Sequence, residues 1–94
     1  MYDLKIEDIH TIWLAYVHDH VIITYPSKRK KQWALLYMIA HDFCMDQSYT
    51  EKEVNEILKT YYEDYVRIRR DLIDYQFLTR TKDGSIYKKQ AVSL

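Results

Sequence analysis

The spacing of hydrophobic positions predicts two elements in the first quarter of the chain. Apolar side chains recur at intervals of three and four residues, which predicts an amphipathic helix within residues 1–19: Ile9, Ile12, Trp13, Tyr16 and Val17. Asp3 is in position to cap this helix. A β-branched run then extends to Tyr25 and stops at Pro26, so a short strand is expected over residues 20–26.

The middle of the chain has the pattern of three further helices. Residues 33–40 are apolar without a polar break, which is typical of a buried central helix, predicted here over residues 27–45. Thr50–Glu53 has the spacing of a capping box, in which a threonine hydroxyl and a glutamate carboxylate satisfy each other's backbone amides. Asp64 is a second N-cap residue. Residues 50–76 are therefore predicted to form a pair of helices with a short break.

The end of the chain has a hairpin pattern. Short alternating segments flank Asp83–Gly84, a dipeptide that favours a tight turn, so a two-stranded hairpin is predicted over residues 77–89 and a frayed tail over 90–94. Three helices followed by a hairpin describe a winged helix-turn-helix. We expect one domain over residues 1–94, mainly α with a small antiparallel sheet and an extra N-terminal helix, in which the strand at 20–26 joins the hairpin.

Charge is segregated along the chain although 14 basic and 14 acidic side chains leave a net charge of zero. Residues 1–25 carry −3 and residues 42–64 carry −5, whereas residues 26–41 and 65–94 carry +4 each. Affinity for a polyanion therefore depends on whether the two basic blocks share one face of the folded chain.

Composition excludes several classes of protein. One glycine leaves no Gly-rich phosphate loop, and one cysteine leaves neither a disulfide framework nor a four-cysteine zinc site. No apolar run approaches the roughly 18–20 residues that span a bilayer, and the first residues lack the pattern of a secretory signal. We therefore expect a cytoplasmic protein that does not contact a membrane.

Histidine and cysteine spacing is the best candidate for metal chemistry, yet it does not predict a metal site. His41 and Cys44 are three residues apart, and His18 and His20 could supply further ligands. Cys44 follows the apolar helix, however, and is expected to pack as a small hydrophobic residue. No nucleophile lies in a recognisable catalytic motif. We therefore expect no enzymatic activity, no cofactor and no small-molecule substrate.

Separate short motifs occur in a fixed order across about residues 20–89: Pro26-x-Lys28, Tyr49–Asn55, Asp64, Ile68–Asp74, Arg80 and Gly84–Tyr87. In this order they resemble a bacterial domain family of unknown function, catalogued as number 2087. The chain departs from the family pattern in having Ile68 and Ile73 for Leu and Val, and Gln76 where a glycine is common before the wing. The resemblance implies an association with helix-turn-helix regulators and transcriptional regulation, without an established activity.

Basic residues on the second helix of the pair and on the wing favour contact with double-stranded DNA. Helical geometry places Arg67 and Arg70 on the solvent face, while four cations open the central helix, where they oppose its dipole and repel one another. The predicted DNA contacts are Lys28, Arg29, Lys30, Lys31, Arg67, Arg70, Arg80, Lys82, Lys88 and Lys89.

Arg69 is expected to have a different role from its neighbours. It falls inside the apolar arc of its helix, so we predict a largely buried ion pair with Glu53 or Glu56 of the preceding helix. Loss of the pair through Arg69→Ala would cost ~3 kcal/mol or more if the carboxylate were left buried.

Two other functions remain open. Trp13 and Tyr16 share one face of the added N-terminal helix and could form a homodimer interface, either in a DNA-binding dimer or in a protein-interaction module that binds no nucleic acid. The tyrosines and basic blocks could also contact a single strand, although no aromatic signature of an RNA-recognition sheet is present.

Overall fold

The computed structural model describes residues 2–92, which form four helices and two small antiparallel sheets. In chain order the elements are α1 (Ile6–Tyr16), β1 (Val17–His18), β2 (Val21–Ile22), α2 (Arg29–Ala40), β3 (Ser48–Tyr49), α3 (Glu51–Leu58), α4 (Tyr65–Asp74), β4 (Leu78–Arg80) and β5 (Tyr87–Lys89). The predicted combination of helices with small antiparallel sheet is confirmed.

Helix α1 is shorter than the helix predicted over residues 1–19. Its N-cap is Lys5, whose backbone N–H donates to the Asp8 carboxylate at 3.0 Å, so Asp3 is not the cap. An acid in the first turn satisfies an amide that has no helical acceptor and complements the helix dipole. The helix ends at Tyr16 because the backbone of Val17 becomes extended.

Strand β2 pairs with β1, which corrects the prediction that the strand at 20–26 joins the C-terminal hairpin. Asp19 and His20 both have positive φ, 51° and 71°, and they connect the paired residues His18 and Val21. Two left-handed residues in succession match the twist of a two-residue hairpin loop. The sequence does not predict this hairpin, because neither loop residue is glycine, which usually marks a turn of this kind. The Ile22 N–H then donates to the Tyr61 carbonyl at 2.7 Å, which attaches the hairpin to the segment after α3.

Helix α2 is the buried centre of the molecule, as its apolar run predicts. It packs against α1 and α4, and it begins at Arg29 and ends at Ala40, inside the predicted range 27–45. Its N-cap is Lys28, which makes no side-chain capping hydrogen bond. The helix therefore begins two residues after the predicted start at Ser27. The largest fully buried side chains come from several elements: Ile9, Leu35, Leu36, Ile39, Val54, Leu58, Ile68, Leu72, Phe77 and Leu78.

Helices α3 and α4 pack against each other and begin where the sequence predicts. The Glu53 N–H donates to the Thr50 hydroxyl at 3.1 Å, and the Glu53 carboxylate accepts the Thr50 N–H at 2.8 Å. At the start of α4 the Asp64 carboxylate accepts the Arg67 N–H at 3.3 Å. These caps satisfy amides that have no helical partner.

A left-handed residue connects α4 to the C-terminal hairpin. Gln76 has φ 67°, its N–H donates to the Ile73 carbonyl, and the Phe77 N–H donates to the Leu72 carbonyl. This pair of bonds is a Schellman motif, in which the left-handed position is most often glycine. Glycine adopts this φ without strain, whereas Gln76 carries a Cβ atom.

The C-terminal hairpin forms a three-stranded sheet in the order β3-β5-β4. Its third strand is Ser48–Tyr49, which lies between the helices predicted over 27–45 and 50–76 and was not predicted as a strand; it is in register with Lys88 and Tyr87. Beyond β5, the Gln90 N–H donates to the Phe77 carbonyl at 2.8 Å, so residue 90 is not part of a frayed tail as predicted. Residues 93 and 94 of that tail lie outside the described part of the chain.

Candidate nucleic-acid interface

A groove lies between α4 and the hairpin that follows it. Its volume is about 350 Å³, and α4, β4 and the β4–β5 turn supply most of its walls. Three arginines, Arg69, Arg70 and Arg80, share this groove with three acids, Glu51, Asp74 and Asp83. The apolar part of the lining comes from Val66, Ile73 and Tyr87. We call this cavity the α4–hairpin groove.

Two of these arginines have no ion-pair partner in the described part of the chain. Within residues 2–92 neither Arg70 nor Arg80 has a carboxylate oxygen within 4.0 Å, and both side chains are exposed. Gly84 makes room for one of them, because a Cβ atom there would lie 3.3 Å from Nη1 of Arg80. Gly84 also has φ 73°, a conformation that glycine adopts without strain. Two guanidinium groups therefore line the groove, and their donors are not paired with any carboxylate among residues 2–92.

Arg69 makes the ion pair, but with a different acid from the two predicted. Its Nη2 lies 3.1 Å from Glu51 Oε1, and its Nη1 donates to Asn55 Oδ1 at 2.5 Å. Glu53 caps its own helix and Glu56 pairs with Lys59, and among residues 2–92 neither has a carboxylate oxygen within 4.0 Å of Arg69. The Arg69 side chain is 18% exposed and that of Glu51 is 47% exposed. The pair is therefore partly solvated rather than buried.

Arg67 is held against the loop that precedes α2. Its guanidinium lies 4.8 Å from the centre of the Tyr25 ring, and its Nε lies 3.8 Å from the Asp71 carboxylate. The Tyr25 hydroxyl donates to the same carboxylate at 2.7 Å. Burial raises the pKa of Tyr25, and the hydrogen bond to Asp71 raises it further. The sequence did not predict this contact, because Tyr25 and Asp71 are 46 residues apart.

The basic run 28–31 divides between two surfaces. Arg29 lies over the Tyr75 ring, 4.8 Å from its centre, on the side of α2 that packs against α4. Lys28, Lys30 and Lys31 instead line a separate groove against α1. The three lysines therefore lie apart from the α4–hairpin groove, whereas Arg29 approaches the C-terminal end of α4.

The remaining predicted contacts lie on or beside the hairpin. Lys82 is exposed in the β4–β5 turn, and Lys88 is exposed in β5. Lys89 Nζ donates to the Phe43 carbonyl at 3.2 Å and also lines a small cavity with residues of α2. Lys82 therefore lies in the turn that borders the α4–hairpin groove, whereas Lys89 is hydrogen-bonded to another part of the chain.

Hydrogen bonds order the turn at the tip of the hairpin. The Asp83 carboxylate accepts the Thr81 hydroxyl at 2.6 Å, the Ser85 hydroxyl at 2.8 Å and the Ser85 N–H at 3.0 Å. The Thr81 hydroxyl, followed by the Ser85 N–H and hydroxyl, lowers the pKa of Asp83 to about 2. The turn at the rim of the groove is therefore held by a carboxylate that is ionised at neutral pH.

Histidines and the cysteine make separate contacts. His41 Nδ1 lies 2.9 Å from the Tyr37 carbonyl oxygen, and Cys44 is exposed, so the expectation that Cys44 packs as a core residue is wrong. His20 stacks on the Tyr61 ring with centroids 3.9 Å apart, and the Tyr61 hydroxyl donates to Asp42. Among residues 2–92, no three His, Cys, Asp or Glu side chains are arranged to hold a metal ion.

Trp13 and Tyr16, predicted as a dimer interface, pack within the chain. The Trp13 ring meets the Tyr61 ring edge-on at 6.0 Å, and Lys31 Nζ lies 5.5 Å from the centre of the Tyr16 ring. Both are partly buried against the core. A dimer formed through this face stays a prediction. Its contacts would have to come from the parts of the Trp13 and Tyr16 side chains that remain exposed.

Comparison with known families places this arrangement in context. A family described as an uncharacterized protein conserved in bacteria (DUF2087) matches residues 15–89. The chain belongs to the DUF2087 family. The DUF2087 match contains every residue that lines the α4–hairpin groove, whereas most of α1 precedes it. No curated protein and no solved structure significantly matches the chain. Across residues 2–92, no helix combines the length and apolar character needed to cross a membrane.

Proposed function

We propose that this DUF2087 protein is a winged helix-turn-helix domain that binds double-stranded DNA as a cytoplasmic transcriptional regulator or its accessory module. Helices α3 and α4 would be the helix-turn-helix pair, and the β4–β5 hairpin the wing. Support comes from the order of the elements and from the packing of α4 against both α3 and β4. We propose no catalytic role for it.

The observation that carries the proposal is the position of Arg70 and Arg80. They come from different elements, line the same groove and, within residues 2–92, have no carboxylate oxygen within 4.0 Å. A guanidinium group donates two parallel hydrogen bonds to a phosphate, so a pair across a groove suits a nucleic-acid backbone. Lys82 in the neighbouring turn and Arg67 on α4 are the next candidates for phosphate contact.

Acidic side chains in the same groove limit the expected affinity. Asp74 and Asp83 line it with the arginines, and the whole chain has zero net charge. We therefore expect weak binding to random sequence, in the micromolar range at low salt, with about three to four phosphates neutralised.

The test is fluorescence anisotropy of a random-sequence duplex titrated with the full chain at about 50 and 200 mM salt. Because each phosphate contact contributes roughly 0.9 to the slope of log affinity against log salt, the expected slope is about −3. The double variant Arg70→Ala/Arg80→Ala should reduce that slope by about two units.

The matched control removes two charges elsewhere. Lys30→Ala/Lys31→Ala changes the net charge equally but alters the separate groove that these lysines line against α1. DNA affinity and the salt slope should therefore change much less. Equal losses in the two double variants would show that only total charge matters and would contradict an interface at the α4–hairpin groove. Absence of binding at about 50 mM salt would reject the DNA proposal itself.

A second candidate is a protein-interaction or dimerisation domain without nucleic-acid binding. Large exposed apolar side chains concentrate in the first quarter of the described chain, and Leu14 and Ile23 are 71% and 62% exposed. Exposed apolar residues that form one patch are typical of a surface that a partner covers. We would therefore test a dimer at Leu14 and Ile23 rather than at Trp13 and Tyr16.

A further inference from the structure

A second groove lies between α1 and the beginning of α2. Its volume is about 450 Å³, within the range of roughly 300–1,000 Å³ that small-molecule sites occupy. Its lining is supplied by Leu4, Asp8, Thr11, Ile12, Lys28, Lys30 and Lys31. We call it the α1–α2 groove. It shares no lining residue with the α4–hairpin groove.

The charges around the α1–α2 groove are unbalanced. Three lysines face one carboxylate, and within residues 2–92 none of the three has a carboxylate oxygen within 4.0 Å of its ammonium nitrogen. The acid, Asp8, already accepts the Lys5 N–H that caps α1. Lys31 is oriented by the Tyr16 hydroxyl, 3.3 Å away, a neutral partner that leaves its charge uncompensated. The groove therefore attracts a negatively charged group.

The interior of the groove has an apolar component. Leu4 is 7% exposed, and Ile12 is partly buried against the core, so both add hydrocarbon beside the lysines. Polar groups that orient a ligand next to an apolar wall are the usual composition of a small-molecule site. An inorganic ion would use the lysines alone and make no contact with these two side chains.

We propose that the α1–α2 groove binds a small amphipathic anion, with a carboxylate or phosphate group at the lysines and a short hydrocarbon body against Leu4 and Ile12. Most of α1 precedes the segment that matches DUF2087, so this site depends on residues outside the family match. The site is independent of DNA binding, because the residues proposed to contact DNA in the α4–hairpin groove are not needed for it.

The experiment is a titration of the full ¹⁵N-labelled chain, followed by amide chemical shifts, with octanoate and octyl phosphate below their micelle concentrations. Saturable shifts should appear at Leu4–Ile12 and Lys28–Lys31 but not at Arg70 or Arg80. Comparison of the two anions identifies which head group the lysines prefer. Lys30→Ala/Lys31→Ala should weaken binding at least about tenfold, since each charge-assisted hydrogen bond contributes an appreciable part of the affinity.

Three controls separate this proposal from simpler explanations. Octanol lacks the charge and inorganic phosphate lacks the hydrocarbon, so each should bind far more weakly than octanoate. Equal binding by either compound would overturn the proposal. Lys82→Ala/Lys88→Ala removes the same charge from the hairpin and should leave octanoate affinity unchanged; an equal loss there would also overturn it. Because the spectra report folding directly, a misfolded variant is recognised and replaced by Lys30→Gln/Lys31→Gln.

Discussion

Arg69 and Arg70 are adjacent in α4 and have opposite roles. Arg69 bonds to Glu51 and Asn55 of α3, whereas Arg70 lines the groove with no ion-pair partner within residues 2–92. Sequence periodicity separated the two residues correctly because successive side chains point about 100° apart on a helix. The partner acid was assigned wrongly, because the position of α3 against α4 is a tertiary property.

The ion pair of Arg69 leads to a stability prediction. Arg69→Ala should lower the free energy of unfolding by about 1–2 kcal/mol, less than for a fully buried pair, because Glu51 is nearly half-exposed and remains hydrated. Urea denaturation measures the change. Arg70→Ala is the control and should change stability by less than about 0.5 kcal/mol. A larger loss for Arg70→Ala than for Arg69→Ala would contradict these assignments.

Asp83 should make the hairpin turn sensitive to acid. Its pKa is lowered to about 2 from an ordinary value of 3.8, so the folded turn favours the carboxylate. The resulting stabilisation is complete above about pH 5 and is lost as the pH falls through 2 to about 1. Carboxyl carbon chemical shifts of Asp83 should titrate near pH 2, and in Asp83→Asn the amide protection of Ser85 should no longer depend on pH in this window. A midpoint near 4 would refute the hydrogen-bonded turn.

At the scale of elements, backbone strain at the C-terminal end of α4 lowers stability, and one substitution can remove that strain. Gln76 adopts φ 67° at the left-handed position of the Schellman motif, which is unfavourable for a residue with a Cβ atom. Gln76→Gly should stabilise the chain by about 0.5–1 kcal/mol, the relief of this strain less the added flexibility of the unfolded chain. Thermal or urea unfolding tests it. Gln76→Ala, which keeps the Cβ atom, should give no such gain.

The N-terminal hairpin shows why short elements escape prediction. Asp19 and His20 form its two-residue loop without glycine, and a hydrogen bond from Ile22 to the Tyr61 carbonyl holds it against another part of the chain. Strand β3 is a similar case, since Ser48 and Tyr49 become a strand through pairing with β5. Two-residue strands have too little local pattern to be recognised, so their partners decide them.

At the scale of the whole molecule, the exposed apolar residues near the N-terminus are where a homodimer would be tested. If the chain dimerises through them, Leu14→Lys/Ile23→Lys should yield monomers with little change in stability, because both side chains are mostly exposed in a single chain. Sedimentation equilibrium of the wild type and variant measures this. Thr24→Lys/His10→Lys, also at exposed positions, is the control and should leave the wild-type state unchanged. A wild-type monomer at about 100 μM would reject the dimer.

The amino-acid sequence by itself determined the buried helix α2, the caps at Thr50 and Asp64, and the C-terminal hairpin. These features depend on interactions between residues close together in the chain, which periodicity and capping rules describe. Tertiary structure decided the pairing of β3 with β5, the partner of Arg69 and the placement of basic residues in two separate grooves. Those features join segments distant in sequence, and packing around α2 brings them together.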